Sequence, residues 1–153
     1  MSEAKILKSL DDLKGYKEIM ITGGEPMLRV DFLTSTLTQL RSNNPNVILY
    51  VYTALYNPRI DDVMKLSDGV HYTIHENATI HDLCGFEAFQ VYAVKNPGKS
   101  YRVGIHPDIE AFIPIIPKVW SEVRIKKFKD QSECIIPVTE QLYILDIADY
   151  ERR

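Results

Sequence analysis

Cysteine is nearly absent from this chain: two occur in 153 residues, Cys84 and Cys134. Two thiols exclude the multiply bridged scaffold of small secreted proteins, and they are too few for a cysteine-held metal cluster. Long apolar runs are missing as well. The longest, Val47 to Tyr56 (VILYVYTALY), is half of the about 20 residues that a membrane-spanning helix needs. The N-terminus, MSEAKILKSLDD, lacks the basic segment followed by an apolar one that marks a secretory leader. Positive charge is not in excess either: 18 Lys and Arg stand against 21 Asp and Glu, a formal charge of -3 with pI near 5.8. Such a chain has no overall basic field to recruit nucleic acid or anionic lipid. The expectation is a soluble, cytoplasmic protein with no membrane partner and with nucleic acid an unlikely one.

What is present is an ordinary globular composition, 45% apolar and 25% charged, enough to bury a core. No repeat, low-complexity tract or Pro/Gly/Ser linker interrupts the chain, which predicts a single domain over residues 1–153. Ile6, Leu10 and Leu13 fall at i, i+4, i+7 with Gly15 beyond them, the pattern of an amphipathic helix. Glu18 to Thr22 (EIMIT) is then a short, nearly continuous apolar run ending in Gly23-Gly24, as in a buried parallel strand entering a tight loop. Val30, Leu33, Leu37 and Leu40 line a second helix, and Val47 to Thr53 reads as a second strand. Asn57-Pro58 supplies a cap and first-turn proline for a helix carrying Ile60, Val63 and Met64.

Val70 to His75 follows as a strand with Val70, Tyr72 and Ile74 on one face and His71, Thr73 and His75 on the other. Phe86 to Lys95 has helical spacing, Tyr101 to His106 alternates as a strand, and Val123 to Phe128 is a further strand. Gln141 to Ile147 is ambiguous, leaning to strand. Strands alternating with crossover helices predict a parallel α/β sheet, open or curled into part of a barrel. In either form a ligand site lies at the carboxyl ends of the strands. That rim gathers Gly23-Gly24-Glu25, Thr53, His75-Glu76, His106 and Lys126-Lys127.

The most informative stretch is Ile21-Thr22-Gly23-Gly24-Glu25-Pro26-Met27-Leu28. Two glycines straight after a strand let the backbone turn tightly and approach a ligand, and the proline disfavours the helical region for Glu25, holding its carboxylate on an extended segment. Backbone carbonyls and a carboxylate on a rigid loop suit a cationic group such as an ammonium. ITGGEPML, between a strand and an amphipathic helix, resembles the GGEP motif of the radical S-adenosylmethionine (SAM) enzymes. The resemblance implies that Gly23, Gly24, Glu25 and Pro26 hold the amino group of SAM; Thr53, His75 and His106, on the same rim of strand ends, are further cofactor-binding candidates. It also implies a partial (β/α) barrel followed from its second strand onward, lacking the first strand and the cluster loop.

That family carries a CxxxCxxC motif upstream of GGEP, whose three thiolates hold a [4Fe-4S] cluster. Here 22 residues precede Gly23, they read as a single helix, and none is cysteine. Cys84 and Cys134, 50 residues apart, cannot replace the motif. Three explanations fit: a shortened relative that retains SAM binding as a binding or regulatory module, a split enzyme whose cluster loop comes from a partner chain, or a cysteine loop lying upstream of Met1. A fourth reading keeps the fold alone, as a non-enzymatic interaction protein.

Other residues invite sharper readings than they support. His71, His75, His81 and Cys84 suggest a metal, yet on a strand His71 and His75 lie about 13 Å apart at about 3.3 Å per residue, too far for one ion. No metal site is assigned. In a curled sheet the polar strand faces would gather Thr73, His75, Arg102, His106 and Arg124 or Lys126 around one basic cavity suited to a carboxylate or phosphate; in an open sheet they face solvent. Cys84 reads as a small buried residue and Cys134 as a loop thiol. The basic run Arg124 to Lys129 reads as a solvated edge rather than an RNA contact.

Overall fold

The computed structural model describes residues 4–128 and 139–145. They belong to two compact units, Met1–Gly15 with Lys129–Arg153, and Tyr16–Phe128. Cys134, the basic position Lys129 and the end of the Gln141 to Ile147 segment lie outside the described residues. Among the described residues no helix is long and apolar enough to cross a membrane.

In the first unit, β1 (Lys5–Leu7) pairs in parallel with β7 (Tyr143–Leu145), Ile6 opposite Ile144. The strand reading of the Gln141 to Ile147 segment therefore holds over its described part. The helix predicted through Ile6, Leu10 and Leu13 does not form; β1 is followed by a 3-10 turn, Leu10–Leu13. The reason lies in which residues are covered. Ile6 is 71% exposed, whereas Leu7, Leu10 and Leu13 are buried, a three-residue spacing that matches a 3-10 turn and not an α-helix. Ser9 starts that turn, its hydroxyl accepting from the Asp11 amide at 3.2 Å while Asp12 accepts from the Ser9 amide at 3.3 Å.

The second unit is a five-stranded, all-parallel sheet in the order β2 (Glu18–Ile21), β3 (Ile48–Thr53), β4 (Gly69–Ile74), β5 (Ser100–Ile105), β6 (Glu122–Ile125). Spatial order follows chain order. Because parallel crossovers are right-handed, sequential order puts the connecting elements on one side of the sheet. These are α1 (Val30–Asn43), α2 (Ile60–Met64) and α3 (Ile80–Lys95). The expected α/β class and its parallel sheet are present.

Register sorts the strand residues into two faces. Thr53, Tyr72, Val103 and Val123 form one row of the helix-covered face, and Ile74, Ile105 and Ile125 the next. Tyr72 and Tyr101 meet the rings of Phe86 and Phe89 from α3 at 5.0 to 5.9 Å, with Trp120 stacked on the same two phenylalanines. Buried Gln90 ties the β5–β6 connection to α3: its amide donates to Pro114 O, and its oxygen accepts from the Ile116 amide and the Trp120 indole, all at 2.9 Å. The other face carries the row Tyr52, His71, Arg102 and Glu122.

The base of the sheet is tightened by charge. Asp68 Oδ2 accepts from the Leu49 amide at 2.8 Å and from Arg41 at 2.9 Å, and Arg41 also donates to Leu66 O. Burial pushes the Asp68 carboxyl up, but these partners outweigh it and hold the group below the usual carboxylate range.

The expected strand Val123 to Phe128 ends early, at Ile125, and two expected helix starts move. α2 begins at Ile60, because Asn57 closes a separate turn, accepting from Arg59 N at 2.9 Å through its side chain and donating to Met27 O at 3.0 Å. α3 begins six residues before the predicted Phe86, where Thr79 and Asp82 form a capping box. Cys84, expected to be buried, is exposed on α3, since the buried face of that helix runs through Phe86, Phe89, Gln90 and Ala93.

Candidate functional site

The carboxyl end of β2 turns out through Gly23 and Gly24, whose φ angles are 82° and 53°. L side chains resist that left-handed region, so the two glycines allow the turn. Glu25 then returns to extended backbone, φ -129°, ahead of Pro26, which opens a short 3-10 turn through Leu28. Thr22, Gly23 and Gly24 are exposed, and Met27 is fully buried beneath them. Among the described residues no backbone amide bonds the carbonyls of Gly23 or Gly24.

The Glu25 carboxylate does not point freely to solvent. Oε1 accepts from the Met27 amide at 3.1 Å and from the Thr53 hydroxyl at 2.5 Å, and Oε2 accepts from the Ala54 amide at 2.9 Å. The loop after β2 is thereby clamped to the end of β3. Thr53, 3% exposed, is a fastener of this loop. A carboxylate offers about four lone-pair directions, and three are used.

The next strand end continues the series. Thr73 Oγ1 lies 3.4 Å from Thr53 O and 3.4 Å from His75 Nε2. The His75 ring packs on Phe128 at 4.6 Å between centroids. Beside them is a pocket of about 170 Å³ lined by Ala54, Tyr72, Thr73, His75, Asn77 and Asp82 among others. Tyr72 is 1% exposed and its hydroxyl has no partner among the described residues. Burial, with the charges of Glu25 and Asp82, raises its phenol and keeps it protonated.

His106, at the end of β5, stands with a different set. Its Nε2 is 3.4 Å from Glu76 Oε2, its Nδ1 is 3.7 Å from Asp108 Oδ2, and the Asp108 amide donates to Nδ1 at 3.2 Å. The rim thus brings together Gly23, Gly24, Glu25, Pro26, Thr53, Thr73 and His75, while His106 joins Glu76 and Asp108.

The expected basic cavity does not assemble from all its residues. Arg102 lies over the Tyr50 ring at 4.5 Å, donates to the Tyr50 hydroxyl at 3.1 Å and faces Glu122 at 3.9 Å. Arg124 is bonded to the same Glu122. Both guanidinium groups are therefore engaged below the rim, and Lys126 sits over Phe128. His71, in the Arg102 row, is stacked flat on Tyr52 at 4.5 Å and is 5% exposed, with no partner for Nε2 among the described residues. Burial, then the Lys126, Arg102 and Arg124 charges, lower its pKa to about 4, so it is neutral near pH 7.

Sequence reasoning missed Asp108, Asn77, Asp82 and the Tyr72 hydroxyl. The signal for Asp82 was available in Thr79-Ile80-His81-Asp82, a capping-box pattern that starts a helix and a pocket wall together. No protein-family model, curated protein or solved structure matches this chain.

Proposed function

We propose that this chain is a degenerate or partial radical SAM protein that binds SAM, or a related nucleotide, without a cluster of its own, as a binding or regulatory module. The observation that carries the reading is the loop Gly23-Gly24-Glu25-Pro26. It leaves β2 in left-handed backbone, the Gly23 and Gly24 carbonyls take no backbone hydrogen bond among the described residues, and its carboxylate is fastened to Thr53 and Ala54. That arrangement fits an ammonium group, which needs acceptors held in place and no bulky side chain in the way. The sequential parallel order of β2 to β6, with connections on one side, is the topology that a curled partial barrel requires.

The residues present fit SAM and do not fit the cluster. Gly23, Gly24 and the remaining lone pair of Glu25 would take the amino group, with Thr73 and His75 beyond Thr53 at the end of β4. A [4Fe-4S] cluster open to SAM needs three thiolates; the chain has two cysteines, and Cys84 stands alone on α3. No radical step is therefore derived for this chain by itself. An active enzyme whose cluster loop comes from additional sequence or a partner chain is the alternative that the test must separate.

Calorimetric titration of SAM into the full chain, before and after anaerobic iron reconstitution, is that test. Expected is saturable binding without a cluster absorbance band, lost in Glu25→Ala while circular dichroism stays native. Absence of binding at millimolar SAM would leave the interaction-protein reading. A stable brown cluster on the isolated chain would overturn the cluster-free assignment.

A further inference from the structure

We propose that Glu76, His106 and Asp108 form a site for a divalent transition-metal ion at the carboxyl rim of the sheet, independent of whether the Gly23–Pro26 loop takes SAM. One donor atom from each of the three lies within 4.8 Å of the others. The imidazole comes from the end of β5 and Glu76 from the turn after β4, and these strands are adjacent and in register up to Ile74 and Ile105. The ring is well anchored: His106 is 6% exposed, its amide donates to Ile74 O at 3.0 Å, and its carbonyl accepts from Ile109 N at 3.1 Å. The two carboxylates are 66% and 70% exposed at their side chains, so they can move onto an ion at small cost while the buried ring sets its position.

The spacing favours an ion over a direct bond. His106 Nε2 and Glu76 Oε2 are 3.4 Å apart, longer than the about 2.9 Å of an N–H···O bond. Two ligands of a tetrahedral ion with bonds of about 2.0–2.2 Å stand about 3.4 Å apart. With the ion on Nε2, the ring proton must sit on Nδ1. The Asp108 amide now donates to Nδ1 at 3.2 Å; ion binding therefore requires that bond to be given up and Asp108 Oδ2, 3.7 Å from Nδ1, to close in and accept the proton, the carboxylate–histidine–metal arrangement that orients a ligating imidazole. Glu76 is then a ligand and Asp108 a positioning residue. Imidazole with carboxylate selects Zn²⁺, Mn²⁺, Fe²⁺ or Co²⁺ over Mg²⁺ and Ca²⁺, which prefer all-oxygen shells.

The test is calorimetric titration of Zn²⁺ into the full chain carrying H81A, C84S and C134S, which removes the exposed His81 and Cys84 and the other thiol as rival ligands. Expected is one ion per chain, with affinity falling at least tenfold in Glu76→Gln and about 10- to 100-fold in Asp108→Asn. Both exchanges are at exposed side chains, and thermal melts without metal show whether the fold is kept. The ion should raise the melting temperature of the parent and leave that of the Glu76→Gln, Asp108→Asn double variant unchanged. No binding at millimolar Zn²⁺, or equal binding by Glu76→Gln, overturns the proposal. Loss of binding in His75→Ala with Glu76→Gln unaffected overturns it as well, by moving the ion to another part of the rim.

Discussion

At the scale of single residues, Glu25 and His71 show how far burial can redirect a side chain chosen for its charge. Glu25 was read as a carboxylate offered to a ligand, and most of its hydrogen-bonding capacity instead joins two strand ends. Replacing it by glutamine keeps the shape but sets an amide NH₂ against one of the three donors. Glu25→Gln is expected to cost about 1–3 kcal/mol in urea unfolding, and an unchanged midpoint would show that the clamp is dispensable. For His71, the ordinary pKa of 6.5 falls to about 4 in the fold. Between those values the unfolded chain binds the extra proton, so this group's contribution is complete above about pH 6.5 and is lost as pH falls toward 4, by at most about 3 kcal/mol. Urea midpoints at pH 7.5 and 4.5 should differ less in His71→Gln than in wild type; equal gaps would refute it. Strand alternation correctly set His71 on the face opposite Tyr72. It could not show that Tyr52 and Arg102, each one crossover away along the chain, would flank His71 on that face.

At the scale of elements, periodicity found β3, β4, β5 and α1 because each has an apolar pattern that burial enforces; β2, expected as a buried strand, and β6 are the edge strands, half-buried to exposed, and only their apolar runs marked them. It failed where short-range chemistry outweighed pattern. Ser9 and Asp12 stop the first segment from becoming an α-helix, and Thr79 with Asp82 starts α3 six residues early. Of the candidate site, the Gly23–Pro26 loop was legible because its spacing is local. The meeting of Glu76 with His106 was only half legible: both could be put on the rim, but their pairing depends on the β4–β5 register. That register also rests on one crowded position. A Cβ at Gly69 would lie 2.4 Å from Ser100 O and 2.5 Å from Tyr50 Cε1, and the backbone oxygen cannot swing aside. Gly69→Ala is therefore expected to destabilise the sheet by about 3–5 kcal/mol, seen as a fall in melting temperature; a shift of a degree or less would mean that β4 and β5 can spread.

At the scale of the molecule, stability is expected to be uneven. β4 is paired with β5 along its whole length and with β3 from Gly69 to Tyr72, and Val51, Val70, Tyr72 and Val103 are at most 1% exposed. β1 and β7 are three-residue strands with Ile6 and Ile144 more than half exposed. Native-state hydrogen exchange should find the slowest amides in β3 to β5 and much faster exchange in β1 and β7, since small, exposed pairings open locally. Uniform protection across both units would contradict this. The sequential order of the large sheet has a bearing on synthesis. Each strand from β3 to β6 pairs with the one made just before it, so a chain leaving the ribosome can add strand after strand to a growing edge. β1 must wait longer, because its partner β7 is made after all five strands of the large sheet.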